Sequence, residues 1–254
     1  MKFISDFLWS EIKILFPSKE GAVGRPEADP RQTLEGIIFI IKTGCQWKYL
    51  PRDYGPPSTV HGKFMKWCKL GIFDQVMKIA REYYRKRNSK NNWFAFDTST
   101  KKAPIALFGG KNPTDRGKIG IKYTLLVDRK GAPLFVNVAA ANIHDSQLLD
   151  PVIEKMRKSK RIRIIATDSA FYVKRLYNRC KIKNFALVAS PNPRRKKNVH
   201  KFKVPYRWIV EQTFGILSWF RGIKICWAKT LESSLGFHQI ACSLRLFKMS
   251  GIFG

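Results

Sequence analysis

Apolar positions along the first 90 residues recur at helical spacing. Phe3, Phe7, Leu8, Ile12 and Leu15 form one stripe, which Pro17 and Gly21 stop. Asp29 then caps a second helix with Pro30 in its first turn, and Leu34, Ile37, Ile38 and Ile41 give its apolar face before Gly44 ends it. A third helix is expected from Val60 to Trp67 and a fourth from about Phe73 to Arg87. Short helices rich in basic residues suit a helix-turn-helix-like module. The polar, basic stretch from Arg85 to Asn92 reads as a linker.

Beyond it the period changes. Trp93-Phe-Ala-Phe96 reads as a short buried strand ending at Asp97, and Ile119 to Val127 as a second strand. Asp128-Arg-Lys-Gly131 is a turn with glycine where a positive φ is needed, and Leu134 to Ala140 returns as the third strand. Asp145 and Ser146 stand where they cap a helix reaching about Arg157. A buried strand from Ile162 to Thr167 ends at Asp168, followed by a helix from Tyr172 to Cys180 and a strand from Phe185 to Ala189. From Tyr206 a helical pattern carries Glu211.

The order β-β-β-α-β-α-β-α predicts an α/β domain with a mixed five-stranded sheet, antiparallel at its start, parallel afterwards and flanked by helices. This is the ribonuclease-H-like order. The expected organisation is an all-α domain over residues 1–90 and the α/β domain over 91–254.

Charge adds a partner to this picture. The chain holds 48 Lys and Arg against 18 Asp and Glu, a net charge of +30. Repulsion at that level opposes compaction, and a polyanion relieves it. Nucleic acid fits best, because each neutralised phosphate releases counterions. A ribosomal or membrane-surface protein is the blander reading of charge alone. An aromatic content of 13% excludes a disordered chain. Cys45, Cys68, Cys180, Cys226 and Cys242 are odd in number and contain no CxxC pair, which points to reduced thiols rather than a zinc site or a disulfide framework. The charged opening stretch and the short apolar run from Gly36 to Ile41 suggest neither a signal peptide nor a membrane span, so a cytoplasmic location is expected.

Acidic residues are scarce, which makes their positions informative. After Glu154 only Asp168, Glu211 and Glu232 remain. Asp97 and Asp168 end strands that are neighbours in this fold, so both carboxylates project at one sheet edge, and the last helix carries Glu211 across it. Three converging carboxylates repel unless a cation compensates. Hard oxygen donors select Mg²⁺ or Mn²⁺, and two such ions about 3.5–4 Å apart serve phosphoryl transfer. The plainer reading stands beside this one: an aspartate after a strand is often a turn former or cap, and a helical glutamate is usually solvated. Asp128 is read as a turn residue, Asp145 as a cap and His144 as structural.

Several longer motifs carry a resemblance. They are Thr43-Gly-Cys-Gln-Trp-Lys-Tyr-Leu-Pro-Arg-Asp-Tyr-Gly-Pro-Pro-Ser-Thr-Val-His61, Lys111-Asn-Pro-Thr-Asp-Arg-Gly-Lys118 with Leu125-Leu-Val-Asp128, Asn142-Ile-His-Asp-Ser146, and Arg207-Trp-Ile-Val-Glu-Gln-Thr-Phe214. Over roughly residues 8 to 248 the chain resembles bacterial insertion-sequence DDE transposases of the insertion-sequence-five group. The resemblance implies a catalytic, metal-holding triad of Asp97 in Phe96-Asp-Thr-Ser99, Asp168 in Ala166-Thr-Asp-Ser-Ala170, and Glu211. It implies two Mg²⁺ ions, with Mn²⁺ able to substitute, and a phosphate contact by Arg207 at the transposon end. The implied activity is cut-and-paste transposition on double-stranded DNA, with cleavage at terminal inverted repeats followed by strand transfer into target DNA. The implied agent is a homodimer on paired ends, associated with the nucleoid. The alternatives are a catalytically inactive DNA-binding derivative or repressor, and a structure-selective nuclease of the same fold. Phe171 stands where the family usually carries Tyr, and Ser218 where some relatives carry Lys.

Two basic runs have no acidic residue to balance them. One holds Lys155, Arg157, Lys158, Lys160, Arg161 and Arg163; the other holds Arg194, Arg195, Lys196, Lys197, Lys201 and Lys203. Lys118, Lys122, Arg194, Arg195, Lys196, Lys197, Arg207 and Arg221 are the candidate DNA contacts. Trp208, Trp219 and Trp227 suit either base stacking or core packing.

Overall fold

The computed structural model describes residues 3–17, 27–88, 92–189 and 204–252. The chain forms two compact units. One is helical and draws on residues up to 88, 105–107 and 218 onwards; the other is α/β and draws on 89–104 and 108–217.

In the helical unit, α1 (Asp6–Ile12) is capped by Ser5, whose Oγ accepts from Leu8 N. α2 (Pro30–Thr43) begins as its sequence predicts: the Asp29 carboxylate accepts from Arg31 N and Gln32 N, and Gly44 closes the helix at φ 71°. α3 (Pro57–Lys69) starts three residues ahead of the expected Val60, because a proline pair suits a first turn. α4 (Ile72–Arg87) follows. Buried within α2, Glu35 accepts from Phe3 N at 2.5 Å and Ile4 N at 2.8 Å, which ties down the start of the chain.

α9 (Leu231–Met249) belongs to this same unit. The expectation that the α/β domain runs through 91–254 therefore differs from the structure, which groups residues 218–252 with the first helices. The physical reason lies in α9, which has buried residues all around its axis, including Phe237, Ile240, Cys242, Leu246 and Phe247, and so needs neighbours on every side. The Phe237 ring stacks on Phe64 at 4.4 Å. A Cβ at Gly236 would fall 2.6 Å from Cys68 Sγ.

The α/β unit is built on β1 (Trp93–Lys102), β2 (Gly110–Lys111), β3 (Ile119–Asp128), β4 (Pro133–Ala140), β5 (Arg163–Thr167) and β6 (Phe185–Ala189). The strands lie in the order β4-β3-β1-β5-β6, and the two-residue β2 also pairs with β3. β1–β3 and β3–β4 are antiparallel; β1–β5 and β5–β6 are parallel. This is the ribonuclease-H-like arrangement, with the five expected strands plus β2. Among the described residues, four helices accompany the sheet: α5 (Asp145–Leu148), α6 (Asp150–Lys155), α7 (Lys174–Ile182) and α8 (Trp208–Leu217). The single helix expected from residue 145 is split, with Pro151 in the first turn of α6. In the β3–β4 turn, Asp128 Oδ1 accepts from Lys130 N and Ala132 N, so Asp128 is a turn residue. Gly131 sits there at φ 74°.

Candidate active site

β1 does not stop at Asp97. Its pairing with β3 runs on to Lys102↔Gly120, while its pairing with β5 ends at Ala95↔Ala166. Asp97 therefore stands just past the point where β1 and β5 part, and Asp168 follows the last residue of β5 at the same level. Side chains alternate across a strand, so buried Phe96 faces the opposite side of the sheet from Asp97. Phe96 packs edge-on against Phe171 with ring centroids 5.2 Å apart. Phe171 is thus a core position.

α8 packs against β1 and β3 and presents Glu211 in its first turn. Arg207, immediately before α8, joins two of the carboxylates: its guanidinium lies 2.6 Å from Glu211 Oε1 and 3.4 Å from Asp97 Oδ2. Asp97 Oδ1 accepts from Thr98 N at 2.8 Å. Burial pushes the Asp97 carboxyl up to about 6, assisted by the negative charges of Asp168 and Glu211 and opposed by the Thr98 N–H and Arg207. Asp168 is exposed, and its Oδ1 accepts from Ser169 N at 2.6 Å, capping a 3₁₀ turn over Ser169–Phe171. The cap reading and the site reading meet in this one residue.

The donor set fits a hard divalent cation in kind: three carboxylates whose mutual repulsion a cation would relieve. Their spacing is looser than a coordination shell. Among the described residues, no three His, Cys, Asp or Glu side chains are grouped closely enough to hold an ion. Arg207 supplies the positive charge between Asp97 and Glu211 instead.

Other sequence candidates are distributed unevenly. Lys122 lies along β3, where its Nζ pairs with Asp145 at 2.9 Å and donates to Ile143 O at 2.8 Å; its side chain is 12% exposed. It is engaged inside the unit rather than turned to solvent. Asp145, expected to cap a helix, instead takes Lys122 and the Thr98 hydroxyl at 2.8 Å, and His144 is the capping residue. Reading the sequence missed this Thr98–Asp145–Lys122 network next to Asp97, although Asp145 lies inside the motif Asn142-Ile-His-Asp-Ser146. Lys118 is exposed at the end of a loop in which Asn112 Oδ1 accepts from Thr114 N at 3.1 Å. Arg194, Arg195, Lys196 and Lys197 lie outside the described residues. Arg221 falls in the helical unit, in a 3₁₀ turn over Arg221–Ile223. Trp208, Trp219 and Trp227 are exposed rather than packed in a core. All five thiols are free, and burial pushes Cys68 up to about 12 and Cys180 to about 11.

Residues 64–246 match the family described as "Transposase DDE domain". The chain belongs to that family. Residues 4–77 also match "Putative transposase of IS4/5 family". Domains of the DDE family depend on divalent metal ions. Among similar proteins is a Burkholderia cepacia "Putative transposase for insertion sequence element IS402", 26% identical over 53% of this chain and 66% of that protein. Another from the same organism, "Insertion element IS402 uncharacterized 16.2 kDa protein", is 33% identical over 30% of this chain and 56% of that protein. The matches therefore span less than two thirds of these relatives' lengths. The fold is similar to the cryo-EM structure of a piggyBac transposase synaptic complex with hairpin DNA, with a TM-score of 0.51 and 11% identity over 98% of this chain and 73% of that one. At that identity the likeness concerns the fold alone. No helix among the described residues is long and apolar enough to cross a membrane.

Proposed function

We propose that the chain is an insertion-sequence transposase that cuts double-stranded DNA at terminal inverted repeats and joins the freed end to target DNA. The observation that carries this reading is the convergence on Asp97. Arg207 links the half-buried Asp97 to Glu211, Asp168 leaves β5 at the level of Asp97, and burial, with these two negative charges, pushes the Asp97 carboxyl up to about 6. Acidic side chains set at one sheet edge around a desolvated aspartate have a use in charge chemistry.

Asp97, Asp168 and Glu211 would hold two Mg²⁺ ions, or Mn²⁺ in their place. When bound, the ions would activate the attacking oxygen and stabilise the leaving one. The chain's own part is positioning and charge. Above about pH 6 Asp97 is ionised and able to act as a hard ligand. Arg207 tempers the repulsion between Asp97 and Glu211 and offers N–H donors to a DNA phosphate. The Asp145–Thr98 hydrogen bond steadies the strand beside Asp97. Water would first attack phosphorus at the transposon end, with the 3′-oxygen leaving as a hydroxyl. That hydroxyl would then attack a target phosphodiester, so no covalent enzyme intermediate is required. The helical unit would read the inverted repeats, two copies would act on paired ends, and the protein would work in the cytoplasm at the nucleoid.

The test is cleavage of end-containing duplex with and without Mg²⁺. Asp97→Asn and Glu211→Gln are expected to lose at least about a hundredfold in rate, the scale of removing one electrostatic catalytic group. If both cut as well as the parent, the triad is wrong and a DNA-binding derivative without catalysis is what remains.

A further inference from the structure

The basic run from Lys155 to Arg163 contains six Lys and Arg and no acidic residue. It joins α6 to β5, and its backbone is pinned to the turn that enters β6. Ser159 N donates to Lys183 O at 3.1 Å, Arg163 N donates to Asn184 O at 3.1 Å, and Asn184 Nδ2 donates to Ser159 O at 2.6 Å. Lys183 Nζ reaches back to the carbonyls of Glu154 and Met156 at 2.7 and 2.8 Å. Asn184 takes a positive φ of 60° to make this junction. Arg157, Lys158, Lys160 and Arg161 are exposed, and among the described residues none of them forms an ion pair. The nearby acids are already engaged: Asp150 by Arg175 and Arg179, and Glu154 by Arg179. A backbone held this firmly beneath four unneutralised cations is a surface shaped for a polyanion.

Its place in the fold is informative. β5 begins at Arg163, beside this loop, and its last residue, Thr167, precedes Asp168. Five strand residues separate the two ends by about 16 Å, or about 5 base pairs of duplex. We infer that the 157–161 loop grips the phosphate backbone of duplex DNA at least one such interval away from the bond being cut. This rests on the reading of the chain as a DNA-cleaving enzyme, but it is read out by binding rather than by cleavage.

The experiment uses the full chain carrying Arg157→Ala, Lys158→Ala, Lys160→Ala and Arg161→Ala together. Affinity is measured across a salt series on a long end-containing duplex and on one truncated within about 5 base pairs of the cleavage site. On the long duplex the variant is expected to bind at least about tenfold more weakly, with a log–log salt slope shallower by about 3.6, as follows from about 0.9 for each of the four lost phosphate contacts. On the truncated duplex it should match the parent. A charge-keeping variant with Arg157→Lys and Arg161→Lys should retain the slope. An unchanged slope on the long duplex, or an equal loss on both duplexes, would overturn the inference. So would a loss of binding to anionic phospholipid vesicles while DNA binding is kept. Should the fourfold variant fail to fold, a benzophenone side chain at position 158 decides the matter. Crosslinks about 5 or more base pairs from the cut support the inference, and crosslinks at the cut phosphate, or none to DNA, refute it. Cleavage by these variants on the truncated duplex, set against its loss in Asp97→Asn, separates failure of this inference from failure of the catalytic reading.

Discussion

Asp97→Asn is expected to stabilise the metal-free protein at neutral pH but not in acid. Burial, reinforced by Asp168 and Glu211, raises the Asp97 carboxyl from 3.8 to about 6. The native state thus holds this proton more tightly than the unfolded chain does. The stabilisation is fully present below about pH 4 and is lost as pH rises through about 6. The gap corresponds to about 3 kcal/mol, at about 1.4 kcal/mol for each pH unit. Asparagine does not ionise and avoids that loss, and its carbonyl can still accept from Thr98 N. Its NH₂ group, however, faces the Arg207 guanidinium instead of accepting from it, which gives back about 1–1.5 kcal/mol. The net gain at pH 7.5 is then about 1–2 kcal/mol, falling to zero or below near pH 4. Urea unfolding in a chelator at the two pH values measures it. Adding Mg²⁺ should reverse the ranking: ion binding at a hundredfold excess over Kd adds about 2.7 kcal/mol to the parent and much less to the variant. Equal destabilisation by Asp97→Asn at both pH values would refute the claim that the fold resists ionising this carboxyl.

Three other substitutions probe the same architecture. Arg207→Gln removes the cation between Asp97 and Glu211 and should push the Asp97 carboxyl of the metal-free protein further up; an NMR titration in a chelator that leaves it unmoved would mean that Arg207 does not set this ionisation. Gly131→Ala forces a Cβ to 2.9 Å from Thr213 Oγ1 at φ 74°, and a loss of about 1–3 kcal/mol is expected in thermal unfolding. Glu35→Gln keeps the shape but removes the charge that accepts from Phe3 N and Ile4 N, and should cost about 1–2 kcal/mol by the same measurement.

The elements that could be read from the chain are those whose cause is local. Asp29 with Pro30 and Gly44 mark both ends of α2, because a cap and a positive-φ closure involve only nearby backbone. Gly131 marks its hairpin for the same reason. Asp97 and Asp168 could be placed together because parallel neighbours bring the residues after their paired stretches to one level. The extension of β1 from Thr98 to Lys102 was hidden. That segment is polar and owes its strand form to cross-strand pairing with β3 rather than to its own pattern.

By itself the sequence determined the order of the five main strands, the excess of basic charge, and the two aspartates that follow the buried cores of β1 and β5. Each of these is set by periodicity, composition or a short turn. Only the tertiary structure decided that α9 joins the first helices, that Lys122 is engaged by Asp145, and that Arg207 stands between Asp97 and Glu211. Apart from Arg207 and Glu211, which are four residues apart on one helical turn, those pairings link residues far apart in the chain. Their geometry follows from how the sheet and helices pack, and no local pattern encodes that distance.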